Sequence, residues 1–317
     1  MRFVEYVVEK HLDGATVLTV IRKELGLSGS TLRHLKFLDN GIMLDGERVT
    51  VRRIVHEGDR LCLATDDTEA QEHLLPVDLP LSVVFEDADV VVPDKPADMP
   101  THPSHNHHED TVANALAFRY RERGIPFVFR PVNRLDRNTS GLVLIARNRP
   151  AAGYLAAAMR EGRIHKQYLA VLDGIPEQDE GTIETYIRRT AESIIVRENC
   201  AEGEGGDHAL THYRVLCAEN GHALVLASPI TGRTHQLRVH FSGIGCPIVG
   251  DDMYGTPSPL IARHALHAYR LTFPRPSDGE PITLAAPLHE DMRALVEQVF
   301  DTPLSQILEK GNKYERN

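Results

Sequence analysis

The dipeptide Asn220-Gly221 sits between two apolar runs, Leu210 to Ala218 and His222 to Ser228, and constrains the fold more than any other feature of the chain. Both residues accept the positive φ that a two-residue hairpin turn demands, so the flanking runs are expected to pair as antiparallel strands. Ile164 to Leu172 reads as a further strand, carrying Tyr168, and Leu142 to Ala146 as a buried one. Helical spacing of Val112, Ala115, Leu116 and Arg119 marks a helix from Asp110 to Glu122, ended by Gly124. Pro150 suits the first position of another helix that runs to Glu161, with Leu155 and Met159 inward and Gly162 beyond its end. Helices alternate with strands, but hairpins dominate. The expected class is α+β, a mainly antiparallel mixed sheet with flanking helices.

Residues 12 to 64 read as a smaller helix-helix-strand module. Asp13 is the expected cap of a helix carrying Val17, Leu18, Ile21 and Leu25, which Gly26 ends; Ser28 or Ser30 starts a second, with Leu32, Leu35 and Leu38 on one face. Short strands follow, punctuated by Asp45-Gly46 and Gly58-Asp59. Thr65 to Pro80 is acidic and ends in two prolines, a composition that suits a linker. Beyond it, Lys95-Pro96 and Met99-Pro100 force an irregular extended segment. The expected division is a module with the start of the linker over 1–75, a main domain over 76–300 and a C-terminal tail over 301–317.

Net charge is −10, which by itself argues against a polyanionic partner. The distribution reverses the argument. From Arg119 to Lys166 eleven Arg and Lys stand against three acids, a local balance of +8. That basic stretch surrounds Pro131 to Leu142, in which Asp136 lies between Arg134 and Arg137 ahead of Thr139, Ser140 and Gly141. A lone acid in such a turn reads either as a carboxylate presented to a polyanionic ligand or as a surface turn with two local ion pairs. A second block, Ile230 to Phe241, tips the balance. There Thr231 is the expected cap of a helix with Leu237 and Phe241 inward and Thr234 and Arg238 on another face, and Arg238 is expected to grip Asp136 as a bidentate pair. No apolar stretch approaches the roughly 20 residues of a membrane span, and Met1 to His11 lacks the continuous apolar run of a secretory leader, so a cytoplasmic protein is expected. Four scattered cysteines and the irregularly spaced His102, His105, His107 and His108 argue for neither a disulfide framework nor a metal site.

Three ordered blocks carry a resemblance: Arg134-Leu-Asp-x-x-Thr-Ser-Gly141, Lys166-x-Tyr-x-Ala-Val171 and Gly232-Arg-Thr-His-Gln-Leu-Arg-Val-His240. Together they resemble the RluA-type RNA pseudouridine synthases, and the similarity runs from about Leu81 to Pro276. The module before it looks like the S-four-type (alpha-L) RNA-binding module. The resemblance implies a cofactor-independent isomerase with no metal, acting on RNA, with ribosomal RNA of the large subunit favoured over transfer RNA by family habit. A uridine is detached from its ribose, turned, and rejoined through carbon five. Asp136 falls on the family's essential aspartate, acting on the ribose as nucleophile or as base. Tyr168 matches the tyrosine that stacks on uracil, Arg238 the arginine paired with the acid, and Arg134 the residue that fills the space left by the extruded base. Arg137, Arg233, His235 and, on the small module, Arg33 and Lys36 are the expected RNA contacts, and the expected state is a monomer. Asn133 departs from the family's usual histidine and Asp98 from its frequent glycine. The other readings are a silent RNA-binding or ribosome-assembly factor on the same fold, for which an aspartate facing phosphates has no use, and a glycosidase-type hydrolase, which needs a second placed acid.

Overall fold

The computed structural model describes residues 3–25, 27, 29–64, 71 and 73–313; the helix boundaries expected at Gly26 and Ser28, the side chains of Ser30 and His34, and most of the acidic stretch from Thr65 lie outside them. The first part of the chain forms β1 (Phe3–Val7), α1 (Val17–Lys23), α2 (Gly29–Phe37), β2 (Ile42–Leu44), β3 (Glu47–Arg48) and β4 (Arg60–Ala64). The strands make a four-stranded sheet in the order β1-β4-β2-β3. Val17, Val20, Ile21, Leu32 and Leu35 from the helices close over Ile42, Leu44, Leu61 and Leu63 in a core of their own. Each such side chain contributes roughly 1.5–3 kcal/mol on burial. The cap of α1 is Thr16, whose hydroxyl accepts from the Thr19 amide at 3.3 Å. Asp13, expected in that place, is three residues too early and instead accepts from the Glu57 amide at 3.1 Å.

The remainder of the chain builds β5 (Ser82–Glu86), β6 (Val90–Lys95), α3 (Val112–Arg121), β7 (Arg130–Pro131), β8 (Ser140–Leu142), β9 (Ile145–Ala146), α4 (Arg149–Arg160), β10 (His165–Asp173), β11 (Glu180–Arg189), β12 (Arg197–Cys200), β13 (Asp207–Glu219), β14 (His222–Pro229), α5 (Gln236–Gly243), β15 (Leu266–Pro274), β16 (Pro281–Ala285), α6 (Glu290–Val299) and α7 (Leu304–Lys313). One sheet of twelve strands runs β12-β11-β13-β14-β10-β15-β8-β6-β9-β7, with β16 added at β15 and β5 at β6. Among its pairings only β15 with β8 is parallel. The class is the expected α+β with a mainly antiparallel mixed sheet. Asn220 and Gly221 take φ of 51° and 79°, the double left-handed turn that their identities require, and β13 pairs with β14 across it.

Local chemistry explains where boundaries moved. Asn148 caps α4 by accepting from the Ala151 amide at 2.9 Å, so Pro150 takes the second helical position rather than the first. The buried run from Leu142 to Ala146 is split between β8 and β9, because it turns from pairing with β15 and β6 toward β6 and β7. Thr231 does not cap α5. Its hydroxyl donates to Gln236 Oε1 at 2.7 Å and accepts from the Leu210 amide at 3.0 Å, tying the loop to β13. The helix starts five residues later, after His235 in a left-handed conformation with φ of 59°, and Thr234 lies outside it. Leu237 and Phe241 do face the main core.

From Leu74 onward the chain belongs to the larger core: Leu74 is buried there, and Asn114 of α3 donates to the Leu75 carbonyl at 2.7 Å. At the far end, Ile307 of α7 is fully buried in the same core. Among the described residues no helix is long and apolar enough to cross a membrane.

Candidate active site

The turn between β7 and β8 is drawn tight against β15. Gly141 has φ of 108°, and a Cβ built there would lie 2.3 Å from the Ala268 carbonyl oxygen, so only glycine lets the two backbones meet. That approach fixes the end of the turn and, with it, the place of Asp136. Two more elements bring side chains to the same spot. On β10 the register slips between Gln167 and Tyr168, where β15 carries one extra residue; such bulges re-aim neighbouring side chains. Tyr168 points from this bulge into the cleft and is 8% exposed. From the other side α5 presents Arg238, buried in its first turn.

The three side chains line one cavity of about 620 Å³. Arg134, Lys166, Arg233 and His235 line it too, with Met159, Ile230, Leu237 and Leu266 as apolar wall. The volume is of the size that takes a small organic ligand or a nucleotide. Asp136 faces it with its carboxylate 22% exposed; Arg238 Nη1 and His235 Nε2 each stand 3.9 Å from Asp136 Oδ2. These distances exceed hydrogen-bond reach, so the acid is flanked rather than locked.

The bidentate partner of Arg238 is therefore not Asp136. Its Nε and Nη2 each donate at 2.7 Å to the two oxygens of Asp251, a fully buried carboxylate that also accepts from the Met253 and Tyr254 amides at 3.1 Å. The remaining edge, Nη1, is left to face Asp136. Burial opposes both charges of the pair, but their mutual bond outweighs it, raising Arg238 and lowering Asp251 from their ordinary values. Asp251 escaped the sequence reading because nothing in Gly250-Asp-Asp-Met-Tyr-Gly255 identifies the cation it meets thirteen residues earlier. Tyr254 was missed for the same reason; its hydroxyl is hydrogen-bonded to His235 Nδ1 at 2.8 Å, and its ring lies under the Arg238 guanidinium at 5.0 Å.

Burial, and then the Asp136 charge, push the Tyr168 hydroxyl well above its ordinary value, so it is protonated at neutral pH. Burial lowers His235 against the opposing pull of Asp136, which keeps its ring neutral near pH 7. Burial also lowers Lys166.

The other expected RNA contacts are placed differently. Arg137 turns from the cavity and pairs with Asp98 at 2.7 Å. Asp98, at the position where the resemblance leads one to expect glycine, has φ of 61°, in the left-handed region that glycine adopts freely. Asn133 accepts from the Leu144 amide at 2.7 Å and so closes the β7 side of the turn. Arg233 donates to the His208 carbonyl at 2.9 Å from the cavity rim. Arg33 and Lys36 sit exposed on α2, outside this cavity. Among the described residues no group of three His, Cys, Asp or Glu side chains is arranged to hold a metal ion.

Known proteins resemble the chain over most of its length. The RNA pseudouridylate synthase family profile matches residues 89–243. An uncharacterized RNA pseudouridine synthase of Bacillus subtilis, YjbO, is 37% identical over 273 residues, covering 86% of this chain and 95% of its own. Ribosomal large subunit pseudouridine synthase D of Xanthomonas campestris pv. campestris is 36% identical over 270 residues, 80% of each chain. The solved structure of human RNA pseudouridylate synthase domain containing 1 superposes with a TM-score of 0.58 at 31% identity, covering 73% of this chain and 94% of that one. With a cleft that gathers all three motif blocks and relatives at least 36% identical over 80–95% of their own length, the chain belongs to the RluA-type RNA pseudouridine synthases, isomerases that act on RNA.

Proposed function

We propose that the cavity receives a uridine extruded from structured RNA and that Asp136 acts on its ribose, as nucleophile or as base. The observation that carries this reading is the convergence of Asp136, Tyr168 and Arg238, from three separate segments, on one cavity. An ionised carboxylate beside the anomeric carbon stabilises the positive charge that develops as the glycosidic bond lengthens. Tyr168 offers a flat, protonated ring for the uracil. Arg238, held through Nε and Nη2 by Asp251, keeps Nη1 toward Asp136 and so sets a positive charge beside the acid. Extrusion of a stacked base takes a few kcal/mol, and Arg134 at the cavity mouth supplies a planar cation to occupy the gap. Arg233 and His235 are placed for backbone contacts, and Arg137, paired with Asp98 outside the cavity, reaches flanking phosphates.

The small module is read as an S-four-type RNA-binding unit in which Arg33 and Lys36 of α2 contribute phosphate contacts, and the substrate as large-subunit ribosomal RNA. The relative of that substrate's name, 36% identical, supports the second reading. Both are tested by mapping pseudouridines made in transcribed large-subunit ribosomal RNA by the whole chain and by a chain starting at residue 71, which keeps Leu74 in its core. The expected result is one or a few uridines modified by the whole chain, with at least about tenfold slower or more scattered modification by the truncation, since each lost phosphate contact weakens binding. No pseudouridine in this RNA, with product in transfer RNA, contradicts the substrate; an unaffected truncation contradicts the module's role.

A further inference from the structure

The turn that carries Asp136 is held from behind residue by residue. Thr101 Oγ1, buried, donates to the Leu135 carbonyl at 3.0 Å and accepts from the Leu135 amide at 3.2 Å. Lys95 Nζ, fully buried, donates at 2.8 Å to three carbonyls: Pro96, Met99 and Arg137. Arg263, also buried, gives Nη1 to the Asn138 carbonyl at 3.0 Å and Nη2 to Ser140 Oγ at 3.2 Å, while Asp291 holds its Nε and Nη2 at 2.6 and 3.0 Å. Thr139 and Ser140 are hydrogen-bonded to His264 and His267 at 2.8 and 2.9 Å. From 135 to 140 only Asp136 sends its side chain to the cavity with no such tether from the protein behind it.

We propose that Lys95, Arg263 and Thr101 are positioning residues that fix where the Asp136 carboxylate stands relative to Arg238 and the ribose. The inference rests on the reading of Asp136 above. An ammonium has three donors, and here all three are engaged by carbonyls, so Lys95 has none left for substrate and acts through the turn alone. Burial, and after it the Arg263 charge, push Lys95 down to about 7, yet three carbonyls at 2.8 Å are satisfied only by the protonated form. Two buried cations bonded to the consecutive carbonyls of residues 137 and 138 set the turn's position more rigidly than solvent could. Displacement of a reacting group by about 1 Å is enough to slow a reaction on the order of 100-fold.

The test measures kcat and KM on the same ribosomal RNA transcript for Lys95→Met, Arg263→Lys and the near-isosteric Thr101→Val, beside Asp136→Asn, at a temperature where each variant is folded by circular dichroism. The expected result is a kcat about 100-fold lower for Lys95→Met and Arg263→Lys and about tenfold lower for Thr101→Val, with KM within about threefold of the parent. Hydrogen exchange should rise across residues 135–141 in each. A general structural role would show as lowered stability with kcat of the folded fraction intact. Parental kcat in the three variants, with Asp136→Asn inactive, overturns the inference alone; parental kcat in Asp136→Asn overturns the reading on which it rests. Thr101→Val keeps the test decisive if burial of an unsatisfied carbonyl unfolds the Lys95 variant.

Discussion

Asp136→Asn is expected to lower pseudouridine formation by roughly 10⁴-fold or more, the scale on which loss of a nucleophile or essential base acts, while RNA affinity stays within about threefold of the parent. Asparagine keeps the shape of the side chain, and no protein hydrogen bond is broken, because Arg238 and His235 stand 3.9 Å away. What disappears is the negative charge, and with it the power of the side chain to act as nucleophile or base toward the ribose. On the proposed reading affinity comes from Arg134, Arg233 and the other basic side chains, which the change leaves untouched. Rate and binding are read together from single-turnover assays and filter binding on one transcript. Retained turnover would remove Asp136 from the chemistry.

Arg238→Ala is expected to be the most damaging single change for stability. It strands the Asp251 carboxylate, 0% exposed, with only two backbone amides as partners. Breaking a buried pair in this way costs about 3–5 kcal/mol, which in a chain of this size lowers the melting temperature by roughly 10 °C. Arg238→Met combined with Asp251→Leu removes both charges at similar volume, and most of the lost stability should return. The rate should not. The double variant keeps Asp136 without the guanidinium that faces it, and its kcat is expected to stay about 10²–10³-fold below the parent. Calorimetry and turnover on the same three proteins separate the two roles; a double variant with parental rate would show that Arg238 serves folding alone.

Elements governed by neighbours in sequence were legible before the structure. Asn220-Gly221 announced its hairpin, Gly124 and Gly162 take the positive φ expected after α3 and α4, and the apolar spacing of Leu155 and of Leu237 with Phe241 marked the inward faces. The motif blocks likewise marked Asp136, Tyr168 and Arg238 as the side chains that meet. Errors arose where one local rule had a distant competitor. Thr231 has the chemistry of a cap, but a strand across the hairpin claims its hydroxyl. Arg238 has the chemistry of a carboxylate clamp, but sequence does not rank Asp136 against Asp251, and the acid thirteen residues away wins because the Gly250 turn brings it beneath α5. At Gly250, φ of 74° and a backbone 2.4 Å from where a Cβ would sit admit that turn only without a side chain. That Lys95 and Arg263 hold the Asp136 turn was not legible for a plainer reason. The carbonyls they hold in the Asp136 turn lie 42 and 125 residues distant, and a carbonyl has no residue type to read.

The place a uridine takes up is the most direct test. A crystal structure of Asp136→Asn with a uridine-bearing RNA stem-loop should place one extruded nucleotide in the cavity, its uracil against Tyr168 and its anomeric carbon within about 3–3.5 Å of the side chain at position 136. A nucleotide bound with its ribose farther than roughly twice that distance, or a stem-loop seated elsewhere with every uridine still stacked, would contradict it.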